Sequence, residues 1–265
     1  MTQMAKFFVL LTALFISPMI VHANPYTPEM LTPFVTGLGI CGAISYDKAG
    51  NVYISEWSSK RVGIYDSDGK NIGVIDGIGD PSGNIFDPDG NFYVSSYSYG
   101  RVWRVAPDGQ KSVYASGFNV PAGLAWIDGC LYVCNRDAGE VLRIEHNGGK
   151  TVLARDLPQP VSVLKMKDGP YIISCLAGNL YRLDAGGKLS VFLSEIAASG
   201  INIIPDGDDA FILCVISDGT VERITLDKKR VVLAEGFSTP IGVARCPDGR
   251  IIFDAWGQNA AYIIN

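Results

Sequence analysis

Six near-repeats of about forty residues, each made of short apolar strands broken by Asp-Gly and Gly-Gly turns, predict an all-β protein. The predicted architecture is a six-bladed β-propeller of four-stranded antiparallel blades. The repeat is plainest in "DKAGNVYISEWSSKRVGIYDSDG" (47–69) and "DPDGNFYVSSYSYGRVWRVAPDG" (87–109). Two landmarks keep the same beat. Gly42, Gly83, Gly123, Ser162, Gly200 and Gly242 are spaced by 41, 40, 39, 38 and 42 residues. A turn glycine follows each at Gly50, Gly90, Gly129, Gly169, Gly207 and Gly249.

Each repeat reads as four strands. Strand a begins at "ICGAIS", "PSGNIF", "PAGLAW", "PVSVLK", "ASGINI" and "PIGVAR". An Asp-Gly-type turn leads to strand b, as in "NVYIS", "NFYVS" and "CLYVC". A polar or Gly-containing loop leads to strand c: "RVGIYD", "RVWRVA", "EVLRIE", "NLYRLD" and "TVERIT". A second Gly turn leads to strand d: "KSVYAS", "TVLAR", "LSVFLS" and "VVLAEG". Strands joined this way are antiparallel hairpins. Their runs are apolar on both sides of the alternation, which suits sheets covered on both faces.

The ends of the chain test this phase. The last repeat stops at "AAYIIN" (260–265), its strand c, and has no strand d. Near the other end, "LTPFVTGLGICG" (31–42) aligns with "KSVYASGFNVPAG" (111–123). Strand d of blade six is therefore expected from about Thr32 to Thr36, and it removes an exposed sheet edge. A β-sandwich does not explain this register.

Residues 1–23 read as a signal peptide: Lys6, an apolar run at 7–21, then a small-residue cleavage site after Ala23. The run is short for a membrane span. An exported, periplasmic or secreted chain is expected, with one propeller domain at 24–265. Without residues 1–23 the net charge is −6, and no basic cluster stands out. Nucleic acid and membrane insertion are thus not expected, and a monomer is. Six cysteines raise the disulfide question, but the chain is long enough to build a core without staples. They read as small buried hydrophobes, with a Cys41 pairing across the axis left open. Arg104, Arg143, Arg182 and Arg223 recur at one register of strand c and read as pairs between blades.

The phrases "GNVYISEWSSKRVGIYDSDG" and "GNFYVSSYSYGRVWRVAPDG" resemble NHL repeats. The six-fold pattern over residues 31–265 is similar to the SMP-30/gluconolactonase and strictosidine-synthase-like propellers. That resemblance implies a divalent metal on the axis, held by Glu, Asn and Asp, several of them just before the strand-a glycine. Here those positions are Cys41, Ser82, Ala122, Val161, Ser199 and Ile241. A hard cation needs several oxygen ligands, and two hydroxyls do not supply them. No metal and no cofactor is expected, calcium or zinc entering only with a hydrolase alternative.

If the residue before each glycine faces the channel, alternation sends the next but one there too: Ala43, Asn84, Leu124, Val163, Ile201 and Val243. The reading is a channel packed with aliphatics, or an apolar pocket anchored by Ser82, Asn84 and Ser199. The loops between strands b and c open on one mouth. Trp57, Tyr97, Tyr99 and Trp256 cluster there on blades six, one and two, with Asn135, Arg136 and Asp137 on blade three. Aromatics and a few charges around a concave mouth suit a small molecule or a peptide segment. Trp57, Ser82, Asn84, Tyr97, Asn135, Arg136, Asp137 and Trp256 are the candidate ligand contacts.

Glu56 and Asp254 are the candidate acid–base residues. Glu56 has an alternative role as the partner of Lys60 or Arg61, and Asp254 stands where other blades carry Ser or Cys. Histidine chemistry is not expected, because His22 leaves with the signal and His146 lies in a turn. No G-x-S-x-G elbow is present. The first reading is a propeller that binds a small molecule or protein segment without a catalytic metal. The alternative is a divergent gluconolactonase-like hydrolase of lactones or esters, or a strictosidine-synthase-like enzyme.

Overall fold

A computed structural model describes residues 24–145, 148–196 and 198–265. The predicted signal segment and His146 lie outside the described residues. The first strand, β1 (Val35–Thr36), precedes five repeats of four strands and a sixth of three. Blade one is β2 (Cys41–Tyr46), β3 (Val52–Glu56), β4 (Arg61–Tyr65) and β5 (Asn71–Ile75). Blade two is β6 (Pro81–Phe86), β7 (Phe92–Ser96), β8 (Arg101–Val105) and β9 (Lys111–Ser116). Blade three is β10 (Pro121–Ile127), β11 (Cys130–Asn135), β12 (Glu140–Ile144) and β13 (Lys150–Ala154). Blade four is β14 (Pro160–Lys165), β15 (Tyr171–Cys175), β16 (Asn179–Leu183) and β17 (Leu189–Ser194). Blade five is β18 (Ser199–Pro205), β19 (Ala210–Val215), β20 (Thr220–Thr225) and β21 (Arg230–Ala234). Blade six is β22 (Pro240–Arg245), β23 (Ile251–Ala255), β24 (Ala260–Ile264) and, completing it, β1.

The turn phrase explains why the repeat is so legible. In blades one and two the Asp47 and Asp87 carboxylates accept the amides of Ala49 and Asn51, and of Asp89 and Asn91. The Asn51 and Asn91 side chains donate back to the same aspartates. These Asx turns set the a–b hairpins from local sequence alone.

The landmark glycines are there for close approach between inner strands. A Cβ on Gly42 would stand 2.5 Å from the Ser82 carbonyl oxygen of blade two. Gly83, Gly123, Gly200 and Gly242 meet the next blade's backbone in the same way. In those five blades the inner strand lies against its neighbour at a distance that a side chain there would prevent, whereas blade four carries Ser162 at this position.

The core is divided among the seams. Six apolar clusters each join one blade to the next. The middle of every strand b sits in one of them: Ile54, Val94, Val133, Ile173, Leu213 and Phe253 are all 0% exposed. Truncating Ile173 or Leu213 to Ala leaves a cavity worth about 2–5 kcal/mol. All six cysteines are free thiols, so no disulfide crosses the axis.

Closure uses the predicted strand, shortened. β1 pairs antiparallel with β24, Val35 opposite Ala261 and Thr36 opposite Ala260. It begins at Val35 instead of Thr32 because Pro33 has no N–H to give a ladder. Ahead of it, Tyr26 makes a parallel bridge to Ala234 of blade five, with Tyr26 N donating to Leu233 O and Glu235 N to Tyr26 O, both at 2.9 Å. The leading segment therefore fastens blades five and six together.

The arginine row departs from expectation. Arg104 donates to Asn91, Arg143 to Glu145 and Arg223 to Asp206, each within its own blade. Strand c is the third strand out, so its side chains reach the turns of their own sheet first. Two links between neighbouring blades come from strand a: Arg245 to Asp206 and Lys165 to Asp128.

Candidate functional site

Two stacked rings of six equivalent residues build a cavity at one mouth of the propeller. The inner ring is Cys41, Ser82, Ala122, Val161, Ser199 and Ile241, each just before the strand-a glycine or its equivalent. The outer ring is Trp57, Tyr97, Arg136, Leu176, Ile216 and Trp256, each the first residue after strand b. Together with Ile40, Pro81 and Ile201 they enclose about 360 Å³. That is the lower end of the range for small-molecule sites.

Local backbone geometry holds the outer ring. The amides of Arg136, Leu176, Ile216 and Trp256 donate to the carbonyls of Val120, Gln159, Ala198 and Thr239. All four acceptors have positive φ, 58° at Val120 and 56° at Thr239. For β-branched residues that is a strained conformation, kept at the lip of the cavity.

The mouth has two unlike halves. On blades one, two, three and six it is aromatic and cationic. Trp57 and Tyr97 meet edge to face, ring centroids 6.4 Å apart. The Arg136 guanidinium lies 5.7 Å from the Tyr97 ring centroid and donates Nη1–H to the Tyr97 hydroxyl. Trp256 Nε1 donates to Cys41 O at 2.9 Å, pinning the indole across the seam between blades six and one. On blades four and five the lip is aliphatic, Leu176 and Ile216. Those two escape a search for aromatics and charges, although their register, one past strand b, marks them.

Below the inner ring the axis is filled. In β2, β6, β10 and β22 the pairing to strand b slips by one residue near the glycine. In β18 it slips by two, Ser199 facing Val215 and then Ile203 facing Leu213. The extra residue pushes Ile201 and Asn202 into the middle of the ring. Asn202 Oδ1 accepts the Ile44 amide of blade one at 3.2 Å. A Cβ on Gly123 of blade three would stand 2.8 Å from Ile201 O.

The same bulges correct the expectation from alternation. A bulge moves the following side chain to the other face. Of the residues one past the glycine, Ile201 alone lines the cavity. Leu124, Val163 and Val243 pack in seams. Asn84 is fully buried between blades one and two, donating to Ala43 O at 2.7 Å and Ser55 Oγ at 2.8 Å.

Of the candidate ligand contacts, Trp57, Ser82, Tyr97, Arg136 and Trp256 line the cavity. Asn135 lies behind it, accepting from Asn119 N and donating to Glu140. Asp137 sits outside, its Oδ1 3.7 Å from Arg136 Nε. Neither acid–base candidate reaches the wall. Glu56 is fully buried and takes Tyr65 Oη–H at 2.7 Å and Arg61 Nε–H at 2.8 Å. Asp254 is fully buried and accepts Gly242 N–H at 2.9 Å, while its Oδ2 has no hydrogen-bond partner among the described residues. Burial pushes its pKa up to about 8, against the pull of the Gly242 and Ile241 amides.

Burial, and then the charges of Asp254 and Glu56, raise the Cys41 thiol well above its ordinary value. It is no thiolate nucleophile or ligand at neutral pH. The remaining wall donors are the Ser82 and Ser199 hydroxyls, on opposite blades, and the Tyr97 hydroxyl at the lip. Calcium asks for six or more oxygens and zinc for deprotonated ligands, so this donor set fits neither. Among the described residues no three His, Cys, Asp or Glu gather in a metal-holding group.

No known family profile matches the chain, and no curated protein matches it in sequence. Solved structures do. A calcium-binding protein, regucalcin, from Agrobacterium tumefaciens superposes with a TM-score of 0.75 at 13% identity, over 92% of this chain and 96% of that one. A gluconolactonase from Xanthomonas campestris gives 0.72 at 15% identity, over 88% of both chains. Virginiamycin B lyase from Staphylococcus aureus gives 0.68 at 15% identity, over 85% of this chain and 80% of that one. The chain thus shares the β-propeller fold of gluconolactonase- and regucalcin-type proteins.

Proposed function

We propose that the mouth cavity binds a small, mostly apolar molecule, without a catalytic metal. The observation that carries this reading is the composition of the two rings: eleven of twelve positions are uncharged, and none is a carboxylate or an amide. The aromatic half supplies flat contact surface at low entropic cost, and the aliphatic half supplies the opposing wall. A peptide segment is the less favoured occupant, since the cavity is narrow and closed below by Ile201. Export by way of residues 1–23 is part of the proposal, supported by their signal-like sequence; amino-terminal sequencing of the secreted or periplasmic protein tests it.

A second reading is lactone or ester hydrolysis. The gluconolactonase and regucalcin likenesses favour it over passive binding. The wall offers no carboxylate or histidine for it and no set of metal ligands, so the chemistry of those neighbours does not carry over residue by residue. Trp57 and Trp256 report on both readings. Titration of their fluorescence with apolar probes is expected to saturate in the wild type and to be lost in the Trp57→Ala, Trp256→Ala double variant. Lactone turnover abolished by a chelator, with stoichiometric metal in the purified protein, would replace the first reading by the second.

A further inference from the structure

We infer that the occupant is an apolar monocarboxylate whose carboxylate is held by Arg136 and Tyr97, an inference that rests on the binding reading above. The wall's polar groups are mostly engaged already. Ser199 Oγ donates to Cys175 O at 3.4 Å, Cys41 Sγ to Gly39 O at 3.5 Å, and Trp256 Nε1 to Cys41 O. Exceptions are the Ser82 hydroxyl, which has no hydrogen bond among the described residues, and Arg136. Arg136 is the one charged residue of the lining, and its side chain is 18% exposed. Its Nε is buried with no hydrogen-bond partner among the described residues, and Asp137 at 3.7 Å is an ion-pair neighbour beyond hydrogen-bond reach. A desolvated guanidinium with unfilled donors is costly until an acceptor arrives.

Tyr97 strengthens the same demand. Its oxygen already accepts from Arg136 Nη1, which leaves its own O–H to donate. The pole is therefore donor-only. It rejects an ammonium, offers an alcohol little, and matches a carboxylate, whose two oxygens accept without donating. The remainder of the wall excludes polyhydroxylated acids, because their hydroxyls would be buried against Val161, Leu176, Ile216 and Ile241 without partners. The space equals about a dozen water molecules, enough for a short aliphatic or single-ring body.

The test is calorimetric titration of the purified protein with octanoate, octan-1-ol, octylamine and gluconate. Octanoate is expected to saturate, octan-1-ol to bind roughly tenfold or more weakly, and octylamine and gluconate to give no saturable signal. Arg136→Met, shown to be folded by its melting transition, is expected to bring octanoate down to the level of octan-1-ol. Equal affinity for octanoate and octan-1-ol in the wild type, or undiminished octanoate binding in Arg136→Met, would overturn the carboxylate inference and leave the apolar cavity standing. Gluconate binding ahead of octanoate would overturn it too. Failure of every probe would bring down the binding reading itself.

Discussion

Blades two and six carry the same strand b with different chemistry in it. In blade two, Ser95 accepts the Gly83 amide at 2.8 Å and passes its own proton to Ala122 O of the next blade at 2.6 Å. In blade six, Asp254 takes the Gly242 amide the same way, but its second oxygen has no hydrogen-bond partner among the described residues. Two residues further on, each blade sends an aromatic to the mouth, Tyr97 and Trp256. Tyr97 meets a guanidinium there, and Trp256 is tied to the Cys41 carbonyl. A register that serves as plain scaffold in one blade therefore holds a buried ionisable group in another. Desolvation, not a second hydrogen bond, raises the Asp254 pKa at this seam.

Removing the acid is the strongest way to break this comparison. Asp254→Asn supplies a permanent donor and an acceptor. With the native pKa at about 8, the folded chain keeps a proton that the unfolded chain has released. Wild-type stability from this group therefore falls as pH rises from about 4 to about 8, and is level above that. Asp254→Asn should gain on the order of 5 kcal/mol at pH 8.5 and little at pH 4. A Tm difference that does not vary with pH would show the acid to be paired. The reverse change, Ser95→Asp, is expected to cost about 4 kcal/mol at neutral pH, since it adds a buried carboxylate without a countercharge. Denaturant unfolding at pH 7 and pH 4 checks this, and the loss should be smaller at pH 4.

At the mouth the effects are smaller. Trp256→Ala is expected to weaken probe binding by about 2 kcal/mol, through lost indole contact and the freed Cys41 carbonyl. Tyr97→Phe keeps the ring and removes the hydroxyl; a loss of about 1 kcal/mol for octanoate, and less for octan-1-ol, sharpens the contrast with Trp256. Equal losses for octanoate and octan-1-ol in Tyr97→Phe would remove the hydroxyl from the binding account.

The fold was legible because its signals are local and repeated. An Asp-x-x-Gly-Asn turn closes on its own side chains wherever it lies, and a glycine stands at five of the six places where inner strands meet. The phase offset at the ends located β1, and Pro33 alone shortened it. The inner ring could be read for the same reason, since each member adjoins a landmark glycine. The outer ring was half read: Trp57, Tyr97, Arg136 and Trp256 stand out by type, whereas Leu176 and Ile216 look like ordinary core. The bulges were invisible. An added residue in a strand has no sequence signature of its own, so Asn84 was assigned to the channel and the β18 plug was missed. Glu56 and Asp254 look alike as letters. Their difference, one doubly hydrogen-bonded by Arg61 and Tyr65 and the other half-satisfied, exists only once the blades are assembled.

The pairing of β1 with β24 and of Tyr26 with the edge of blade five has a consequence for biosynthesis. Residues that leave the ribosome early must wait for those made last, because their hydrogen-bonding partners lie some two hundred positions downstream. Until then the nascent chain is an open arc with two unprotected edges, so closure of the circle is among the last steps of folding.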